Sequence, residues 1–216
     1  MLFFSGDLEY ACNELGLRHF NGASCCCFCN ANRSDIPFND FHADAQWRRT
    51  VLIAGQFARH IRKPKHPVVA HPWFSIYTYR LDLLHIFDHH GITSVILANV
   101  LAYHIRRASP LLPGSTLEER LTSLNDEIRA WYSIAGIENR LPRLKQTNIW
   151  VDGEFPEMQG NAVKAANTRS LAPFVLDLQQ RAVDIAPTDV NKHMLKVVES
   201  LHAAYEVMYG AGLFVR

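Results

Sequence analysis

Four groupings of residues in this chain have types and spacings that can do chemistry. Asp82-Leu83-Leu84-His85 sets a carboxylate and an imidazole at i and i+3, on one face of a helix, where the two can share a metal ion or orient one another. His89 continues that side at i+7, so a carboxylate and two imidazoles can converge. The plainer reading makes Asp82 a helix N-cap and the histidines solvated or hydrogen-bonded residues. Asp7 follows the apolar, strand-like Met1 to Ser5 and precedes a helical pattern. Enzymes hold metal-binding carboxylates at such strand ends, and helix capping accounts for Asp7 equally well. Cys26-Cys27-Phe28-Cys29 contains a C-x2-C spacing that fits half of a tetrahedral zinc site. His19, His42 or Cys12 are the candidates to complete it, and a cluster of ordinary thiols is the alternative. From Gln46 to His66 there are six basic residues, Arg48, Arg49, Arg59, Arg62, Lys63 and Lys65, and no acidic one. Arg48, Arg59, Arg62, Lys63 and Lys65 are candidates to neutralise nucleic-acid phosphates, with Trp47, Trp73 and Phe74 as stacking surfaces; a solvated helix face is the other reading.

The elements that must position these groups read as mostly helical. Leu8, Ala11, Cys12 and Leu15 fall at spacings of three and four, with Gly16 as a stop. After a Cys- and Asn-rich loop, Phe41, Ala45, Leu52, Phe57 and Ile61 sketch a second helix that ends before Pro64. The connector from Lys63 to Tyr79 holds Pro64, Pro67 and Pro72 and resists both helix interior and central strand. Leu81 to Arg107 is the longest apolar-periodic run and predicts a core helix pair bent near Gly91. Ser115 or Thr116 ahead of Glu118 and Glu119 starts a helix to about Ala135. Two more helices are expected, near Asn161 to Val183 with a break at Pro173, and from Pro187 to Tyr209 behind Thr188 and Asp189.

Bulk composition narrows the class without naming a partner. The 216 residues are 48% hydrophobic and 20% charged, with a net charge of +1, which excludes disordered tails, fibres and supercharged binders. The longest uncharged apolar-leaning stretch, Gly91 to Tyr103, is shorter than the ~20 residues of a membrane span, so no membrane partner is expected. The clustered cysteines form no spaced disulfide framework, which points to a soluble, non-secreted protein in a reducing compartment. The abrupt apolar start and the apolar end at Ala211 to Arg216 suggest truncation at both ends.

In order along the chain, Gly6-Asp7-Leu8, Gly16-Leu17, His19, Asn21, Cys26-x2-Cys29 and Asp82-x2-His85 followed by Gly91 resemble the cut-and-paste DDE DNA transposases of the CACTA and related groups. The wording from Cys29 to Pro37, and from Asp40-Phe41 to Trp47-Arg48, also resembles transposon-derived open reading frames. The resemblance implies a mainly α protein, a helical bundle-like insertion region with a short N-terminal strand from the edge of an RNase H-like α/β core. Residues 1–20 would be that edge, 21–80 a Cys-containing loop, basic helix and connector, and 81–216 a helical region. It further implies that Asp7 is the second metal-binding aspartate of the triad and that Asp82 with His85 is the D-x2-H element, so that Asp7, Asp82 and His85 carry the catalytic roles. Asp7, Cys26, Cys29 and His19 would be metal ligands. Mg2+ or Mn2+ would serve two-metal phosphoryl transfer, with zinc at the cysteines, DNA as partner and the nucleus as location.

The first aspartate would lie upstream of Met1, and the catalytic glutamate has no matching neighbourhood at Glu154, Glu157, Glu199 or Glu206. The expectation is therefore a transposase-derived fragment, inactive alone, that retains DNA binding. A stand-alone helical metal hydrolase using Asp82, His85 and His89, and a non-catalytic interaction domain with a zinc-stabilised loop, are the rival readings.

Overall fold

The computed structural model describes residues 4–88, 91–107, 109–149, 156–160 and 163–211. The chain is mainly helical, with one two-stranded parallel sheet, and divides into two compact units, Met1–Asp82 and Leu83–Arg216. Among the described residues no helix is long and apolar enough to cross a membrane.

The first unit opens with strand β1, Phe4–Gly6, and helix α1, Leu8–Asn13. A long excursion follows, with a 3-10 turn at Gln46–Thr50, helix α2 at Ala54–His60 and a second 3-10 turn at Pro67–Ala70, before strand β2, Tyr79–Leu81, returns to β1. Ala11, Leu15, Leu17, Cys27, Leu52, Phe57, Ile76 and Tyr79 form its core, so the N-terminal hairpin of elements, the Cys loop and the connector are buried against one another. The single helix expected from Phe41 to Ile61 is not there. Phe41 is 81% exposed; Ala45, Leu52 and Phe57 of that pattern are buried and Ile61 packs partly against the core, but the segment is split between a 3-10 turn, a linker and α2.

Two segments of this unit run side by side because Gly16 allows it. At φ +71°, a conformation glycine adopts without the Cβ penalty, its carbonyl accepts the Arg62 N–H at 2.7 Å, and the Glu14 carbonyl accepts from Lys65 and His66. A Cβ at position 16 would stand 2.1 Å from the Arg62 carbonyl oxygen, so any other residue would push the segments apart.

The second unit is a helical bundle of α3 (Leu83–Phe87), α4 (Ile92–Arg106), α5 (Leu117–Ala135), α6 (Gln146–Ile149), α7 (Ala165–Ile185) and α8 (Asp189–Gly210). The bend expected near Gly91 separates α3 from α4, where a Cβ would meet the Ile86 carbonyl oxygen at 1.9 Å. Thr116 caps α5, and Glu119 completes a capping box; Thr188 caps α8 by accepting from the Asn191 N–H. Helix α7 continues through Pro173 rather than breaking there. A helix-interior proline costs about 3 kcal/mol, but Leu171, Phe174, Val175 and Leu178 are each at most 1% exposed. Burying each such side chain contributes about 1.5–3 kcal/mol, so packing outweighs the lost rung.

A polar knot lies inside this bundle. Asp88, 1% exposed, accepts from Arg169 Nε at 2.9 Å on Oδ2 and from Thr93 and Tyr205 hydroxyls on Oδ1, while Thr93 and Tyr205 also touch each other at 2.6 Å. One carboxylate thereby ties the end of α3 to α4, α7 and α8. Burial pushes the Asp88 carboxyl above its ordinary range, and Tyr205, Arg169 and Thr93 pull it back. A carboxyl raised in the folded state contributes stability that is fully present at acid pH and lost as pH rises through its folded value. Removing Arg169 raises it further and enlarges that loss. Arg169→Met should lower unfolding free energy by about 3–5 kcal/mol near neutral pH, with the gap from wild type narrowing at acid pH as Asp88 takes up a proton in both. Urea unfolding at neutral and at acid pH checks this; an equal loss at both would contradict it.

Candidate functional site

The resemblance-implied aspartates meet at the end of the small sheet. β1 and β2 pair in parallel with Phe4 opposite Tyr79, Ser5 opposite Arg80 and Gly6 opposite Leu81. Asp7 and Asp82 are therefore the next residues on both strands, and the Asp82 N–H donates to the Gly6 carbonyl at 2.9 Å. Neighbouring strands lie about 4.8 Å apart, so two carboxyl-bearing residues leave the carboxyl ends of adjacent parallel strands together. Beneath them Tyr79 is fully buried, its hydroxyl donating toward the Gly6 and Asp7 carbonyls at 3.3 and 3.5 Å.

Asp7 also caps α1, with its Oδ1 accepting the Tyr10 N–H at 2.6 Å. The capping reading of Asp7 thus holds, and it uses one of about four lone-pair sites of the carboxylate. Asp82 is the last residue of the first unit and immediately precedes α3; His85 lies within α3, in the second unit. His89 and Glu154 lie outside the described residues. Glu157 is half-buried, and Glu199 and Glu206 are exposed on α8. Among the described residues no group of three His, Cys, Asp or Glu side chains is assembled to hold a metal ion. His89, one of the three ligands of the helical-hydrolase reading, lies outside them.

The cysteine loop is ordered around its sulfurs. The Phe28 N–H donates to Cys26 Sγ at 3.3 Å and the Ala31 N–H to Cys29 Sγ at 3.4 Å, each from two residues further on. At Cys29 the Ala31 N–H favours the thiolate, the form that binds zinc. Burial pushes the Cys29 thiol up to about 11, against the Ala31 bond, with Cys26 and Cys25 adding to the rise. Cys27 turns into the core, where burial pushes it up to about 12. The expected third ligand, His19, does not join this pair: it is exposed, its Nδ1 accepts from the Asn21 N–H at 3.1 Å, and its ring stacks on Phe20. Among the described residues no third His, Cys, Asp or Glu is grouped with Cys26 and Cys29 to hold a metal ion.

The basic residues form an exposed surface, but not one helix face. Arg48 lies over the Trp47 ring at 4.7 Å and donates to the His42 carbonyl; Arg59 is on α2; Arg62 and Lys63 follow it in a turn where Lys63 has φ +47°; and Lys65 pairs with Glu14 at 3.6 Å. All five are exposed. Phe74 is not a stacking surface, because its ring packs against Phe57 and Tyr79.

Reasoning from sequence missed Arg18 and His60. Arg18 Nη1 donates to the Cys29 carbonyl at 3.0 Å, and Nη2 lies 2.9 Å from His60 Nε2, so one guanidinium joins the Cys loop to the end of α2. The two residues are separated by 42 positions, and no local pattern couples them.

Comparison of the chain with known protein families, with curated proteins and with solved structures finds no match in any of the three.

The burial of the thiols orders their reactivity, since the thiolate is the nucleophile. With iodoacetamide at about pH 8, half-buried Cys25 and Cys26 should be modified first and Cys27 and Cys29 last. Peptide mapping by mass spectrometry reads the order, and Cys27 reacting as fast as Cys25 would contradict the placement of the loop.

Proposed function

We propose that this chain is part of the catalytic region of a DDE-type DNA transposase, that Asp7 and Asp82 are metal-binding carboxylates, and that the chain is inactive by itself. The observation that supports this reading is the register of β1 and β2, which sends Asp7 and Asp82 off adjacent parallel strands in step. Hard divalent cations such as Mg2+ and Mn2+ take oxygen ligands, and a carboxylate pair in this position is the chemistry they need. When bound, such ions activate a hydroxyl or water nucleophile and stabilise the leaving oxygen in phosphoryl transfer. Two carboxylates hold such ions weakly, and the described residues supply no third to the group, which is why the chain alone is read as inactive. His85, three residues after Asp82, belongs to the same reading as the second half of the D-x2-H element. Zinc on Cys26 and Cys29, completed by ligands from elsewhere, would stiffen the loop; DNA is the substrate, engaged through the exposed basic surface, and the nucleus is the place of action.

Mn2+ titration of the purified chain, followed by the electron paramagnetic signal of the free ion, tests the metal assignment. Asp7→Asn and Asp82→Asn should each weaken binding about tenfold, equivalent to about 1.4 kcal/mol. The double variant should lose less than the sum, because both residues serve one site. Unchanged binding in Asp82→Asn would overturn the assignment.

A further inference from the structure

Arg18 Nη2 lies 2.9 Å from His60 Nε2. A guanidinium carries only donors, so Nε2 must accept and the ring proton must sit on Nδ1. That Nδ1–H is buried and has no hydrogen-bond partner among the described residues. A buried donor without an acceptor is destabilising, because it has lost its water and gained no partner. It also lies in a positive field: burial, followed by the charges of Arg18, Arg59 and Arg62, holds the imidazole below its ordinary range. The ring therefore stays a neutral donor beside three cations.

The surrounding backbone keeps these groups together. Arg18 is held by the Cys29 carbonyl at 3.0 Å and the Asn30 side chain at 3.4 Å. The Gly16–Arg62 hydrogen bond fixes the turn that carries Arg62, two residues from the end of α2. Arg59 and Arg62 are exposed and have no ion-pair partner among the described residues. From Ala45 to Leu81 the chain contains no acidic residue. Cations near a helix C-terminus are favoured by the helix dipole, which accounts for Arg59 on α2. It does not account for Arg62 beyond the helix, or for an Nδ1–H without an acceptor. A water molecule can satisfy the N–H; an oxyanion can satisfy it and pair with the guanidinium charges as well.

We propose that Arg18, Arg59, His60 and Arg62 form a phosphate-binding site, in which the guanidinium groups supply charge and the His60 Nδ1–H supplies a directional neutral donor. The group it takes is a phosphate bearing at least one ionised oxygen, and its source is the backbone of duplex DNA. The choice of DNA rests on the transposase reading; the phosphate chemistry does not. Within that reading the site is a positioning contact, since phosphate contacts fix register and orientation without reading sequence.

The test uses the full 216-residue chain, with inorganic phosphate and a 20-base-pair duplex oligonucleotide as separate probes. Nitrogen NMR of the histidine rings follows His60, and fluorescence anisotropy of the labelled duplex gives affinity against salt. The variant is Arg59→Gln/Arg62→Gln, two exposed positions whose change spares the Arg18 anchor; His60→Ala removes the directional donor. Phosphate should shift the His60 Nδ1–H resonance, and the double variant should weaken both phosphate and duplex binding about tenfold or more. It should also flatten the dependence of log affinity on log salt by about one to two units, as expected for one or two lost phosphate contacts. His60→Ala should weaken phosphate binding without changing that slope. A His60 shift with phosphate, and its loss in the double variant, alongside duplex affinity unchanged by the substitutions, would uphold the phosphate site and overturn DNA as its source. No change at His60 with either probe would overturn the proposal, whatever the metal titration at Asp7 and Asp82 shows.

Discussion

The parallel pairing of three residues at each end of the first unit is the constraint on which its architecture depends. Two parallel strands cannot be joined by a tight turn and need a crossover connection. Here everything between Gly6 and Tyr79 is that crossover: α1, the cysteine loop, the basic helix and the proline-bearing connector. The pairing is short, so it cannot be held by its own hydrogen bonds. It is held from beneath by Tyr79, whose buried ring meets Phe28 and Phe74 and whose hydroxyl reaches the Gly6 and Asp7 carbonyls. The same register that closes the unit decides where two carboxylates emerge. Fold and candidate chemistry are in this sense one constraint.

Each unit also carries a polar group inside its packing, and the two solve the burial problem differently. In the second unit Asp88 is saturated by Arg169, Thr93 and Tyr205, leaving little for a ligand to add. In the first unit Arg18 is satisfied by two segments while His60 Nδ1–H is not. Saturated polar clusters tie helices together, and an unsatisfied donor in a field of one sign points to a missing partner of the other sign. That contrast separates a structural knot from a binding site without appeal to any relative.

How much was legible in the residues follows from how local each signal is. Thr116 with Glu118 and Glu119, Thr188 with Asp189, and the break at Gly91 are written within a few positions, and the structure has helix ends at all three. Phe41, Ala45, Leu52, Phe57 and Ile61 mimic the spacing of one helix, although Phe41 faces solvent. Pro173 predicts a break because a proline's cost is local, whereas the burial that offsets it on α7 is not. Strand β2 has no local signal, since Tyr79-Arg80-Leu81 becomes a strand only when β1 is there to pair with it. Of the candidate site, Asp7, Asp82 and the C-x2-C pair were named from sequence, whereas the Arg18 bridge between Cys29 and His60 arises from folding alone.

The central claim is that Asp7 and Asp82 act together on one divalent cation. Crystals soaked in Mn2+ and measured near its absorption edge would locate the ion directly by anomalous scattering. The account predicts a peak at the carboxyl ends of β1 and β2, with oxygens of both aspartates within about 2.0–2.6 Å. A peak bound by only one of the two, or occupied manganese sites elsewhere with none at the strand ends, would contradict it.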